Sequence, residues 1–141
     1  MKIEFEIQEF PKNNEGYNII TNTEGLLKIS IEDYIYINET GILLIEFAIF
    51  IYKWLLKLKQ GEITDFYYSS MDFEEEPIFC LRYDLNKNLF TLISVWNKDL
   101  KQHIISKAEA IQLFETYIND LQQSLKKNQN YILKLDKIID L

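Results

Sequence analysis

Along the first nine residues apolar and polar side chains alternate, with Ile3, Phe5 and Ile7 on one face and Lys2, Glu4, Glu6 and Gln8 on the other. That period of two belongs to a half-buried strand, and Pro11 ends it. The loop from Lys12 to Gly16 leads to a second predicted strand near Tyr17 to Asn22. A turn at Thr23-Glu24-Gly25 then leads to a third, Leu26 to Glu32, pairing with the second as an antiparallel hairpin. Tyr34 to Asn38 offers a short fourth strand, after which Thr40 and Gly41 open an apolar run from Ile42 to Leu58. The run is shorter than the ~20 residues of a membrane span and is interrupted by Glu46, Lys53 and Lys57, so it reads as a buried helix. On a helical wheel the three charges fall within a stripe of about 40°. Glu46 is therefore expected at a solvated edge beside the lysines, not as a raised-pKa catalytic acid. Gly61 is placed to close this helix, with Lys57 and Lys59 near the negative end of its dipole.

The second half repeats the order of strands followed by a helix. Ile63 to Ser69, Ile78 to Tyr83 and Leu89 to Trp96 are rich in β-branched and aromatic residues, and residues 84–88 between the last two read as a hairpin loop. A second helix begins at Ser106, where Ser-Lys-Ala-Glu puts Glu109 at capping-box spacing. Its apolar positions are Ile111, Phe114, Ile118, Leu121 and Leu125, with Tyr117 adjoining the stripe. Beyond Asn128-Gln129-Asn130, residues 131–141 form a docking segment whose spacing suits a helix (Tyr131, Leu135, Ile138) or a strand (Leu133, Leu135). The expected architecture is one α+β domain over residues 1–141, a single antiparallel sheet of about six strands packed by two main helices.

Composition supports folding. The chain has 141 residues, is 48% hydrophobic and 14% aromatic, and so can build a core. Its single cysteine, Cys80, permits no intrachain disulfide and no zinc site needing several thiolates, which makes the cytoplasm the natural compartment. MKIEFEIQEF has neither a basic n-region nor an apolar h-region, so no secretory signal is visible.

The search for chemistry ends mostly in exclusions. Four glycines, at 16, 25, 41 and 61, cannot make a GxGxxG or P-loop phosphate cradle. A nucleophilic pair of Cys80 and the lone His103 would need a core-strand thiol to meet a loop imidazole, so a buried Cys80 and a surface His103 are expected. Asp72, Glu74 and Glu76 alternate like the start of a calcium loop, but Pro77 stands where Gly is needed and Tyr83 where Glu is needed. No catalytic residue, metal or cofactor is expected. A net charge of −7 and a pI near 4.8 oppose nucleic-acid binding.

The acidity is regional. Residues 1 to 97 hold 16 acids and 8 bases, whereas residues 98 to 141 hold 6 acids and 7 bases. It is densest from Glu62 to Glu76, where six acids, Glu62, Asp65, Asp72, Glu74, Glu75 and Glu76, have no base among them. Tyr67, Tyr68 and Phe73 lie beside them, and carboxylates around aromatic contact residues suit an interface with a basic protein. The expected partner-binding set is Asp65, Tyr67, Tyr68, Asp72, Phe73, Glu74, Glu75 and Glu76. The plain alternative is a solvated loop. Two rival functions remain: a small-ligand or enzymatic domain with a pocket lined by Trp54, Trp96 or Tyr67, and a homo-oligomer subunit covering a helix apolar around most of its circumference.

The strings FEIQEF, NIITNTEGLLKISI, ILLIEFAIFIYKWL and FYYSSMDFEEEPI, followed by LISVW and a C-terminal amphipathic helix, resemble a group of short bacterial proteins similar to the immunity proteins of toxin systems. The resemblance implies a small acidic cytosolic protein that neutralises a toxin, often a basic nuclease, through a negatively charged face.

Overall fold

A computed structural model of the protein describes residues 1–97 and 102–138. The elements run β1 (Lys2–Glu9), α1 (Asn18–Asn22), β2 (Glu24–Ile31), β3 (Tyr34–Leu43), α2 (Leu44–Lys59), β4 (Phe66–Tyr68), β5 (Phe79–Asp84), β6 (Leu89–Ile93), β7 (Ile104–Ser106), α3 (Lys107–Gln129) and α4 (Leu135–Ile138). The α+β class holds, but the expected single sheet does not. The strands form a three-stranded antiparallel sheet in the order β1-β2-β3 and a separate four-stranded one in the order β4-β5-β6-β7. The break falls at α2. Rising about 1.5 Å per residue, its 16 residues carry the chain about 24 Å from the end of β3. The next strand, β4, is only three residues long and pairs with β5.

In the first sheet Ile3, Ile29 and Ile37 stand in register across the three strands and are all buried. The partners of β2 are thus β1 and β3, not residues 17–22, which coil into α1. There Thr21 Oγ1 donates to the Tyr17 carbonyl, Asn22 Nδ2 to that of Asn18, and Thr23 Oγ1 to that of Ile19 at 2.7 Å. Such side chains favour a local turn over a ladder. The turn also buries the adjacent Ile19 and Ile20 together, where strand alternation would have turned one of them outward. Gly25, expected in a turn, lies within β2 opposite Ile7. β3 runs on through Gly41 to Leu43, so α2 starts later than expected, its first N–H (Leu44) donating to the Thr23 carbonyl at 3.1 Å.

Both helix signals read from the sequence are present. Gly61 has φ 86°, its N–H donates to the Leu58 carbonyl at 3.0 Å, and the Glu62 N–H reaches back to Lys57 at 2.9 Å, a Schellman closure. Ser106 Oγ accepts from the Glu109 N–H at 3.1 Å and caps α3. The buried stripe of α3 is Ala110, Leu113, Phe114, Tyr117, Leu121 and Leu125, while Ile111 and Ile118 are half-buried at its margin. Beyond Asn130 a segment without regular structure, with a buried Leu133, precedes the single turn of α4, where Leu135 is buried. The rest of the predicted docking segment, residues 139–141, lies outside the described residues.

One core joins the two sheets. Phe5 of β1 meets Tyr117 of α3 edge-on at 5.6 Å, and the Tyr117 hydroxyl donates to the Leu44 carbonyl at 2.8 Å. Phe47 of α2 contacts both Tyr117 and Tyr68. Phe66 of β4 packs among Phe47, Trp54, Phe79 and Phe114. Residues Leu44 to Ile49 of α2 are all buried, while Phe50, Tyr52, Leu56 and Leu58 are half-buried.

Candidate interaction surface

Strand alternation decides which aromatic rings of the acidic segment are free. In β4, Phe66 and Tyr68 point into the core and Tyr67, 47% exposed, points out. Tyr68 is fully buried and cannot serve as a contact residue, a correction to the expected set. Asp65, also exposed, accepts the Tyr83 N–H at 2.8 Å and so braces β5 from the surface.

The loop from Ser69 to Pro77 is tied down at several points. Ser70 Oγ accepts the Asp72 N–H at 3.3 Å, and the Ile78 N–H donates to the Tyr68 carbonyl at 2.9 Å. The Pro77 carbonyl accepts the Val95 N–H at 3.0 Å, and the Glu76–Pro77 peptide bond is cis. Phe73 is half-buried and packs edge-on against Trp96 at 5.1 Å, with Gly41 of β3 beneath it. It anchors the loop instead of supplying free contact area. Asp72, Glu74, Glu75 and Glu76 all remain exposed, and Met71 beside them is 63% exposed. The surface therefore consists of four carboxylates on a braced loop flanked by Met71 and Tyr67.

Pairing of β1 with β2 adds acids that linear sequence kept apart. Glu9 and Glu24 are cross-strand partners, and the Glu24 carboxyl is pushed above its ordinary value of 4.5, first by partial burial and then by the Glu9 and Asp72 carboxylates. A signal for this was present in the charge count of the N-terminal region but not in any local motif. Ionised Glu24 therefore costs the folded state free energy above its raised pKa, and that cost vanishes as pH falls and the group is protonated. Glu24→Gln is expected to raise Tm at neutral pH by the equivalent of about 0.5 kcal/mol. The advantage should fade below the ordinary carboxylate range; thermal melts of both proteins across pH check this.

Two polar residues lie elsewhere than expected. Glu46 is not on a solvated stripe: only Lys53 and Lys57 are exposed, while Glu46 is 5% exposed and accepts the Tyr68 hydroxyl at 2.9 Å. The wheel placed the three charges on one side correctly, but α1 and β4 cover its N-terminal half. Burial, together with the adjacent Glu46 carboxylate, pushes the Tyr68 phenol up, so it remains a donor. His103, expected at the surface, is 8% exposed, stacked on Tyr34 at 5.1 Å and edge-on to Tyr36 at 5.6 Å, and its Nε2 has no hydrogen-bond partner. Cys80 is buried in β5 as expected, and burial pushes its thiol up, away from thiolate reactivity.

Trp54 sits in the core with Nε1 donating to the Thr64 carbonyl at 2.9 Å, and Trp96 packs on Phe73. Trp54 and Tyr67 line a cleft of about 260 Å³, below the range usual for ligand sites. Among the described residues no helix is long and apolar enough to cross a membrane, and no three His, Cys, Asp or Glu side chains gather to hold a metal ion.

The class defined here is an α+β protein of two antiparallel sheets around one core, carrying an acidic loop on a braced frame. The chain belongs to the family described as a domain of unknown function, DUF7878, which it matches over residues 1–127. No curated protein and no solved structure matches the chain.

Proposed function

We propose that this protein is a non-enzymatic binding module that engages a basic protein partner through the acidic loop, in the manner of an immunity-type inhibitor acting in a bacterial cytoplasm. The observation that carries this reading is the loop itself: Asp72, Glu74, Glu75 and Glu76 are exposed on a segment held by Phe73, Ser70 and Pro77. Like charges fixed close together are unfavourable for folding, and an opposite charge on a partner relieves the repulsion. Tyr67 and Met71 supply apolar contact next to the charge. On a basic toxin the carboxylates occupy the place of substrate phosphates and occlude its site.

The first test is capture from lysate of the source organism at low salt, with elution by a salt gradient. The wild-type protein is expected to retain a basic protein that elutes at intermediate salt and is lost with a Glu74→Gln/Glu75→Gln/Glu76→Gln variant. Retention that ignores the variant would remove the acidic loop from the account.

A further inference from the structure

Among the described residues Glu46 forms no ion pair. Its Oε1 accepts the Tyr68 hydroxyl, and among the described residues nothing else hydrogen-bonds or ion-pairs with the carboxylate. A carboxylate offers about four acceptor sites, so one donor leaves most of them open. The only buried side-chain nitrogen or oxygen without a partner among the described residues is His103 Nε2. The second oxygen of Glu46 is therefore not sealed in the core; it reaches open space. That space is a cavity of about 380 Å³ between α1, α2, the end of β4 and α4, walled by Tyr17, Phe50, Ser69, Ser70, Met71 and Lys53. Tyr17 and Met71 are 56% and 63% exposed, and Met71 leads directly into the acidic loop.

We infer that this cavity takes one cationic side chain, a lysine or arginine, from the basic partner. A buried carboxylate facing aromatic rings and hydroxyls attracts an alkyl cation by charge-assisted hydrogen bonding and cation–π contact, and it repels an anion. The volume is at the small end for ligand pockets and suits a single long side chain. Lys53 lines the same cavity without ion-pairing to Glu46, and a positive charge there opposes entry of a second cation. The acidic loop steers the partner, and Glu46 fixes its register. The identity of the occupant rests on the basic-partner reading; the cation preference of the cavity does not.

The test uses small probes, so the two fail separately. Backbone amide shifts of the full chain are followed by NMR during titration with N-acetyl-lysine methylamide and with its neutral analogue, N-acetyl-norleucine methylamide. The lysine derivative is expected to shift Tyr17, Ile20, Ser69 and Met71, and the norleucine derivative is not. Glu46→Gln should weaken the lysine derivative about tenfold or more, and the loop triple-Gln variant should leave cavity binding largely intact. Lys53→Met, at the exposed edge of the cavity, should tighten it severalfold by removing the like charge, which keeps the test decisive should Glu46→Gln fail to fold. Equal shifts from both probes, undiminished binding to Glu46→Gln, or no gain from Lys53→Met would overturn the inference.

Discussion

Replacement of Phe66 by alanine is expected to remove about 3–5 kcal/mol of folding free energy. Phe66 is 2% exposed and its ring lies 4.7 Å from Phe114, 6.0 Å from Trp54, 6.1 Å from Phe79 and 6.2 Å from Phe47. Those four side chains come from α3, α2, β5 and α2, so the hole would open where both long helices meet the second sheet. Collapse around it is restricted, because Trp54 is held by its bond to the Thr64 carbonyl. With total stabilities of about 5–15 kcal/mol for such domains, the variant should be marginal or unfolded at ambient temperature. Phe66→Leu, which keeps most of the volume, should cost less than about 1.5 kcal/mol. Urea denaturation of the three proteins measures this, and a loss below about 1 kcal/mol for the alanine variant would contradict a shared core.

Gly25→Ala should be nearly as damaging, for a different reason. A Cβ at this position would overlap the Glu6 backbone oxygen and lie 2.9 Å from Leu44 Cδ1. Backbone cannot give way as a flexible side chain can, so β1 must shift off β2, and the Leu44 side chain must move as well. The expected cost is about 3 kcal/mol, with lost hydrogen-exchange protection concentrated at the end of β1. Gly16→Ala is the control. Gly16 has φ 57° and nothing within 4 Å of an added Cβ, so its penalty is the left-handed backbone alone, about 1 kcal/mol. Equal effects at the two sites would mean that Gly25 is not a point of close approach.

Local periodicity and capping chemistry were legible without coordinates. β1, β2, the body of α2, the Gly61 closure, the Ser106 cap and the hairpin between β5 and β6 all follow from patterns within ten or so residues. What escaped was decided at longer range. Ile19 and Ile20 read as strand residues, yet Thr21, Asn22 and Thr23 bond back one turn and the helix buries both isoleucines. Strand partnership is invisible to periodicity, so about six expected strands read as one sheet, whereas the seven observed are divided between two sheets on either side of α2. The candidate site shows the same split. The exposed acids at 72 and 74–76 follow from composition, whereas the burial of Tyr68 follows from the phase of a three-residue strand. Glu46 could not be placed from its own helix, because what buries it is another strand and a short helix distant in sequence. Glu9 and Glu24 join the acidic surface only through cross-strand register.

The central claim is that the carboxylates of the 72–76 loop draw in a basic partner. Its most direct measurement is the association rate of the captured partner as a function of ionic strength, for the wild-type protein and for Glu74→Lys/Glu75→Lys. The account predicts an on-rate about tenfold lower for the variant at low salt, a flatter salt dependence, and convergence of the two proteins at high salt as the charges are screened. On-rates that coincide at low salt would show that the acidic loop is a solvated surface and not the docking site.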